Sequence, residues 1–271
     1  MNYQMLVLDI DGTLTNSKKE ISPKTLEALL RLQKRGIKLV LASGRPTAGM
    51  LSYAETLQLK EFNNYILSFN GARITNCTTG EIVYDRTLPP EVIPHLFEVA
   101  KEYEVGLVTY DPDNNAVTGV TPDPYMEHEA RINGLPLIQV DNFTEYVSFP
   151  VNKCLMTGKP ELLEKLVPII QSRFHGLINA YRSEPYFLEI TPRHIDKANS
   201  LLKLLTSLGL TTDEMICCGD GFNDISMIVC AGLGVAMANA QLPVKQSADI
   251  VTLSNDEDGL LPIIETYFPE K

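Results

Sequence analysis

The sequence predicts an α/β protein: a doubly wound parallel sheet, Rossmann-like and discontinuous along the chain, with an inserted α+β domain. Three observations carry that expectation. Short unbroken apolar runs, such as Met5 to Leu8 and Met215 to Cys218, have the composition of strands buried on both faces of a parallel sheet. The runs alternate with amphipathic helical stretches near both ends of the chain, and a different pattern separates them. A length of 271 residues favours two domains over one. The expected division is a core of residues 1–80 and 191–271 and an insert of residues 81–190.

In chain order, Met5 to Leu8 is the first strand. Ser22-Pro23 is a helix start, with Ser as N-cap and Pro at the first helical position. Leu26, Leu29, Leu30 and Gln33 continue one face of that helix, and Gly36 stops it. Ile37 to Ala42 is a second strand, parallel to the first through a right-handed crossover. Tyr65 to Phe69 is a third, ending at the turn dipeptide Asn70-Gly71.

From about residue 80 the pattern changes. Hairpin-like pieces such as Gly80 to Tyr84 and Gly106 to Tyr110 alternate with helical stretches, Pro90 to Tyr103 and Pro160 to Phe174. Leu177 to Tyr181 and Tyr186 to Ile190 flank Arg182-Ser183-Glu184-Pro185 as a hairpin. After Thr191 the first style returns. Ala198, Leu201, Leu202, Leu205 and Leu208 recur at helical spacing, Met215 to Cys218 is a strand, and Ile225 to Cys230 a helix. Gly234 to Met237 and Asp249 to Leu253 are further strands.

A formal net charge of -11 argues against nucleic acid and anionic membrane as partners. No apolar run approaches bilayer length, and no basic segment followed by an apolar one opens the chain, so a cytoplasmic protein is expected. Cys77, Cys154, Cys217, Cys218 and Cys230 are odd in number with no C-x-x-C pair, which points to buried reduced thiols. The four histidines have no metal-ligand or triad spacing.

The chemistry gathers at strand ends. Asp9 and Asp11 sit two apart after the first strand, on the same side of an extended chain, followed by Gly12 and Thr13. Open parallel sheets bind ligands at that edge. Two carboxylates so close repel unless a cation lies near. Ser43-Gly44-Arg45 ends the second strand at the same edge, where a hydroxyl and backbone N–H groups make an anion-binding concavity; Asn70 can face the same cleft. Asp220 follows the strand Met215 to Cys218, and Asp224 begins the next helix. Four carboxylates on one edge suit a hard ion held by oxygen, Mg²⁺ above all. Lys197 opens a helix, the end where its charge gains nothing from the dipole. Taken singly, Asp11-Gly12 is also a common turn, Ser43-Gly44 a plain cap and Lys197 a solvated surface residue.

Asp9-Ile10-Asp11-Gly12-Thr13, Ser43-Gly44-Arg45, Lys197 and Gly219-Asp220-Gly221-Phe222-Asn223-Asp224 together resemble the four motifs of the haloacid dehalogenase superfamily, in the order that family has them. The long interval between the second and third motifs resembles the α/β cap of Cof-type sugar-phosphate phosphatases. The resemblance implies a Mg²⁺-dependent phosphatase acting on a small phosphorylated metabolite through a phospho-aspartyl intermediate. Asp9 would be the nucleophile and Asp11 the acid and base. The Asp9 carboxylate, the Asp11 carbonyl and Asp220 would hold Mg²⁺, with Asp224 as ligand or outer support. Ser43, Lys197 and Asn223, with Gly44 and Arg45 of the second motif, would form the phosphate site. Ala198 departs from the glycine many relatives carry after the lysine. Tyr110, Asp111, Asn115, Tyr125, His128 and Arg131 are candidates for the substrate-facing surface of the cap. A phosphosugar mutase using the same intermediate, and a non-enzymatic phosphate-sensing or receiver-like module, are the competing readings.

Overall fold

A computed structural model describes residues 3–269. The first stretch comprises β1 (Met5–Leu8), α1 (Pro23–Lys34), β2 (Lys38–Ala42), α2 (Leu51–Thr56), β3 (Tyr65–Ser68), β4 (Arg73–Asn76) and β5 (Ile82–Asp85). Next come α3 (Val92–Glu102), β6 (Gly106–Tyr110), β7 (Ala116–Thr118), α4 (Pro124–Asn133), β8 (Leu137–Gln139), α5 (Phe143–Tyr146), β9 (Cys154–Thr157), α6 (Pro160–Arg173), β10 (Ile178–Glu184) and β11 (Phe187–Pro192). The last stretch holds α7 (Lys197–Leu208), β12 (Met215–Gly219), α8 (Ile225–Cys230), β13 (Leu233–Ala236), α9 (Leu242–Ser247), β14 (Ile250–Val251) and α10 (Leu260–Tyr267).

The chain divides into one unit that runs up to Tyr84 and resumes at Asp196, and another spanning Asp85–Ile195. The first unit's sheet has the order β14-β13-β12-β1-β2-β3-β4-β5. Its pairs from β14 to β3 are parallel, and β4 returns antiparallel to β3. The unbroken apolar runs follow from its two-sided burial. Leu6 and Leu8 of β1 pack in the cluster that holds Leu29, Leu32, Leu260 and Ile263 of α1 and α10. Met5 and Val7 face the other way, into the cluster with Leu201, Leu204 and Leu205 of α7. Both faces of a central strand are apolar because each meets a helix layer.

The second unit's sheet has the order β10-β11-β9-β6-β7-β8, antiparallel except for the β7/β8 pair. Leu107, Cys154, Met156, Leu188 and Ile190 pack with α3 and α6 in one core. On the other side α4 covers Val108 and Ala116 through Met126 and Ala130.

Both boundaries differ from the sequence expectation. Residues 81–84 were expected in the insert, yet β5 lies at the edge of the first unit's sheet. A tight turn sends the chain back: Asn76 N–H donates to the Glu81 carbonyl at 2.9 Å, Gly80 N–H to the Asn76 carbonyl at 2.9 Å, and Gly80 takes a φ of 73°. β11 likewise runs on to Pro192, so the second crossing falls after Ile195. All five cysteines are free thiols. Among the described residues no helix is long and apolar enough to cross a membrane.

Candidate active site

Because β1, β2 and β12 are parallel, the residues after them share one sheet edge: Asp9 after β1, Ser43 after β2 and Asp220 after β12. The chain after β1 folds tightly on itself. Asp9 N–H donates to the Cys218 carbonyl at 3.1 Å, Leu14 N–H to the Asp9 carbonyl at 3.2 Å and Thr15 N–H to the Ile10 carbonyl at 3.0 Å. Gly12 is required twice over. Its φ is 85°, and a Cβ there would stand 2.3 Å from Oδ2 of Asp220. Thr13 Oγ1 donates to Oδ1 of that same aspartate at 2.8 Å.

Lys197 lies at the centre. It is the first residue of α7, behind the N-cap Asp196, whose side chain accepts from Asn199 N–H. Its side chain is fully buried. The ammonium donates to Asp9 Oδ1 at 2.7 Å, to the Ala42 carbonyl at 2.7 Å and to Asp224 Oδ1 at 2.5 Å. Those three bonds use all three of its protons. Burial alone would lower its pKa, but Asp224 and Asp9 outweigh that and hold the charge well above its ordinary range. A cation at the unfavourable helix end is thus stabilised by two carboxylates and a strand-end carbonyl.

Asp224 is likewise buried, and its other oxygen, Oδ2, accepts from the N–H groups of Asp220 at 3.0 Å and Gly221 at 2.9 Å. It braces the turn that presents Asp220. Gly219 and Gly221 make room, since a Cβ on Gly219 would meet Asp224 at 2.4 Å and one on Gly221 would meet Asn223 at 2.6 Å.

Asp9, Asp220 and Asp224 each bring a carboxylate oxygen within 4.8 Å of the others. One lysine does not balance three acids. Burial and Asp224, working against Lys197, push the Asp9 carboxyl well up. Burial, followed by the charges of Asp224 and Asp11, pushes Asp220 up to about 6 despite the Thr13 hydrogen bond. An all-oxygen set with surplus negative charge fits a hard divalent cation such as Mg²⁺.

Asp11 contributes no carboxylate to that group. Its oxygens accept from Arg45 Nε at 2.8 Å, Arg45 Nη2 at 2.9 Å and Lys19 Nζ at 2.7 Å. Burial raises its pKa, but the hydrogen bonds and charges of Arg45 and Lys19 prevail and hold it low. Four carboxylates were expected to converge at this edge; three do, because the forked guanidinium of Arg45 draws the fourth aside.

A model of the haloacid dehalogenase-like hydrolases matches residues 6–264. The chain belongs to that family. A solved haloacid dehalogenase-like hydrolase from Bacteroides thetaiotaomicron is 48% identical, with a TM-score of 0.94 over 97% of this chain and 99% of its own. The structure of a sugar phosphatase of subclass IIB is 26% identical, with a TM-score of 0.80 over 98% of each chain. A 5-amino-6-(5-phospho-D-ribitylamino)uracil phosphatase of Bacillus subtilis is 28% identical over 98% of this chain and 96% of its length. The chain is a phosphatase of the haloacid dehalogenase superfamily, of the Cof type.

Within this haloacid dehalogenase-like core the structure brings Asp9, Lys197, Asp220 and Asp224 together as one cluster. Ser43 is buried, with its hydroxyl accepting from Arg45 N–H at 3.2 Å. Gly44 lies against the side chain of Asn70, which accepts from Asn223 Nδ2 at 2.9 Å. Arg45, expected at the phosphate, has its guanidinium on Asp11. Sequence reasoning missed Lys19 and Asn239. Asn239 Nδ2 donates to the Gly12 carbonyl at 2.8 Å, and Asn255 N–H donates to Asn239 Oδ1 at 3.0 Å. The one available signal was that Asn239 closely follows a parallel strand, β13; nothing local marks Lys19.

In the second unit the candidate surface residues hold one another. Asp111 closes its own loop, accepting from Asn115 N–H, Asn115 Nδ2 and Tyr146 Oη at 2.8, 2.9 and 2.9 Å. Tyr110 Oη donates to Glu129. Tyr125 stacks on Tyr186 at 5.1 Å between ring centroids, and Arg131 Nη2 lies 3.0 Å from His128 Nδ1.

Proposed function

We propose that this phosphatase hydrolyses phosphate monoesters of small metabolites, sugar phosphates or similar polyol phosphates, with Mg²⁺ and through an aspartyl phosphate on Asp9. The observation that carries the reading is Asp9 itself: a buried carboxylate at the end of β1, held on one oxygen by Lys197 at 2.7 Å and grouped with Asp220 and Asp224. Lys197 orients Asp9 and lowers the cost of bringing a dianion beside it. An Asp9 oxygen attacks phosphorus as the ester P–O bond breaks, and the leaving oxygen takes a proton from Asp11. Water then attacks the aspartyl phosphate, giving a proton to Asp11 and releasing inorganic phosphate. Mg²⁺ held by Asp9, the Asp11 carbonyl and Asp220, with Asp224 behind, would neutralise charge on the phosphoryl group. Ser43, Gly44 and Asn223 are the phosphoryl-binding groups of this reading.

Asp11 begins ionised, paired with Arg45 and Lys19. To act as the acid it must first loosen from that pair and take up a proton, from solvent or from a phosphate monoester monoanion, so the two cations set when it can do so. The second unit, Asp85–Ile195, serves as the substrate-selecting cap in this reading. The relatives named for a sugar phosphate and for a ribitylaminouracil phosphate support a polyol-bearing substrate. Five free thiols and the absence of an apolar spanning helix among the described residues support a cytoplasmic setting.

The test is release of inorganic phosphate from 4-nitrophenyl phosphate and from a panel of phosphorylated metabolites with Mg²⁺. Asp9→Asn is expected to lower the rate by roughly 10³-fold or more. Asp11→Asn should keep metal and phosphate binding while losing turnover. Hydrolysis by Asp9→Asn at the wild-type rate would overturn the mechanism. Conversion of a sugar phosphate to its isomer with little free phosphate would turn the assignment to a mutase.

A further inference from the structure

β3 is followed by three consecutive residues with positive φ: Phe69 at 53°, Asn70 at 55° and Gly71 at 101°. For glycine this costs little. For Phe69 and Asn70 it costs roughly 1 kcal/mol or more each, and such strain persists only where the surroundings impose it.

The surroundings are the phosphoryl-binding elements. Phe69 N–H donates to the Arg45 carbonyl and Asn70 N–H to the Ser43 carbonyl, each at 2.9 Å. Ser200 Oγ of α7 donates to the Gly71 carbonyl at 2.6 Å, and a Cβ on Gly71 would lie 2.6 Å from the Asp196 carbonyl. Asn70 Oδ1 accepts from Asn223 Nδ2 at 2.9 Å. A Cβ on Gly44 would lie 3.1 Å from Asn70 Nδ2 and 3.2 Å from its Oδ1, so the missing side chain of Gly44 is what admits the amide. One strained turn thereby touches the loop after β2, the start of α7 and the loop after β12.

We infer that Asn70 is a positioning residue for phosphoryl recognition, acting through Asn223 and the Ser43-Gly44 turn; this rests on the phosphatase reading above. Accepting from Nδ2 determines which end of the Asn223 amide is nitrogen and leaves its second N–H to donate to a phosphoryl oxygen. The backbone bond to the Ser43 carbonyl sets the turn on the opposite side. Asparagine suits the position because it tolerates left-handed backbone better than other side chains and supplies the acceptor as well.

Asn70→Gly tests this, since glycine keeps the backbone and removes only the amide. Binding of inorganic phosphate to the Mg²⁺-loaded protein is measured by calorimetry, and KM and kcat with 4-nitrophenyl phosphate. Asn70→Gly is expected to weaken phosphate binding and raise KM by about tenfold each, the scale of one charge-assisted hydrogen bond, with a smaller change in kcat and unfolding that stays cooperative. Combined with Asn223→Ala it should add little to what Asn223→Ala does alone. Unchanged phosphate affinity in Asn70→Gly, or full independent effects in the double variant, would overturn the inference. If the wild-type protein neither binds phosphate nor cleaves the ester, the phosphatase reading falls and this inference with it.

Discussion

Each unit buries a lysine among carboxylates, and the two clusters are finished differently. In the first unit Lys197 spends its three protons on Asp9, Asp224 and the Ala42 carbonyl. In the second, Lys153 lies 3.1 Å from Glu189 Oε2 and 5.4 Å from the centre of the Tyr110 ring, with both charged side chains buried. Burial lowers the Lys153 pKa, but Glu189 and Glu129 raise it further. Each cluster also has a surplus acid. In the second unit that acid is Glu129, and neutral donors complete it: Tyr110 Oη at 2.5 Å and Asn133 Nδ2 at 2.9 Å. In the first unit it is Asp220, which receives one hydroxyl from Thr13 and otherwise faces other aspartates. Neutral donors hold Glu129, while Glu189 Oε2 and Asn133 Oδ1 beside it are buried without a hydrogen-bond partner among the described residues. The cluster left with surplus charge at a sheet edge is where the proposed function places Mg²⁺.

The largest expected effect separates the two lysines. Lys197→Met leaves Asp9 and Asp224 uncompensated in the interior, and Lys153→Met does the same to Glu189. Each is expected to cost about 3–5 kcal/mol in urea unfolding. Mg²⁺ should recover part of the loss in Lys197→Met and none in Lys153→Met. Equal recovery of both, or of neither, would break the comparison.

A smaller effect concerns pH. Asp220 is held at about 6 in the fold against an ordinary 3.8. Between those values the folded state binds more protons than the unfolded one, so the contribution is complete below about 4 and lost as pH rises through about 6. Metal-free protein should therefore lose on the order of 2 kcal/mol between pH 4 and pH 7 at this site, after allowance for its partial exposure. Saturating Mg²⁺ should reverse the trend, and Asp220→Asn should remove it. Unfolding curves at several pH values, with a chelator and with Mg²⁺, give the answer.

The smallest effect sharpens the second cluster. Glu129→Gln keeps an oxygen for Tyr110 and Asn133 while deleting the charge. Because neutral donors already satisfy that carboxylate, stability should change by no more than about 1 kcal/mol. A larger loss would mean that the charge itself holds Lys153.

Much of this could be read from local pattern. Met5 to Leu8 and Met215 to Cys218 are apolar throughout because both sheet faces are covered, so the runs themselves announced strands. Asp9, Ser43 and Asp220 follow strands that proved parallel, and parallel strands must present their ends at one edge. β5 was misplaced because an exposed edge strand with the sequence Ile-Val-Tyr-Asp has no covered face to give it a distinctive pattern.

The amino-acid sequence by itself determined the order of the elements, the interruption of the core by a second unit, and the identity of the four aspartates and the lysine. Each of these depends on residue type and near-neighbour spacing, which the chain states directly. Only the tertiary structure decided how those charges are paired. Asp11 turns to Arg45 and Lys19, Asp224 is divided between Lys197 and the backbone of its own turn, and Asn70 occupies the space left by Gly44. Such choices depend on distances of 2.5–3.2 Å between residues up to 188 positions apart. At that range charge and hydrogen-bond geometry select among partners that local spacing leaves equivalent.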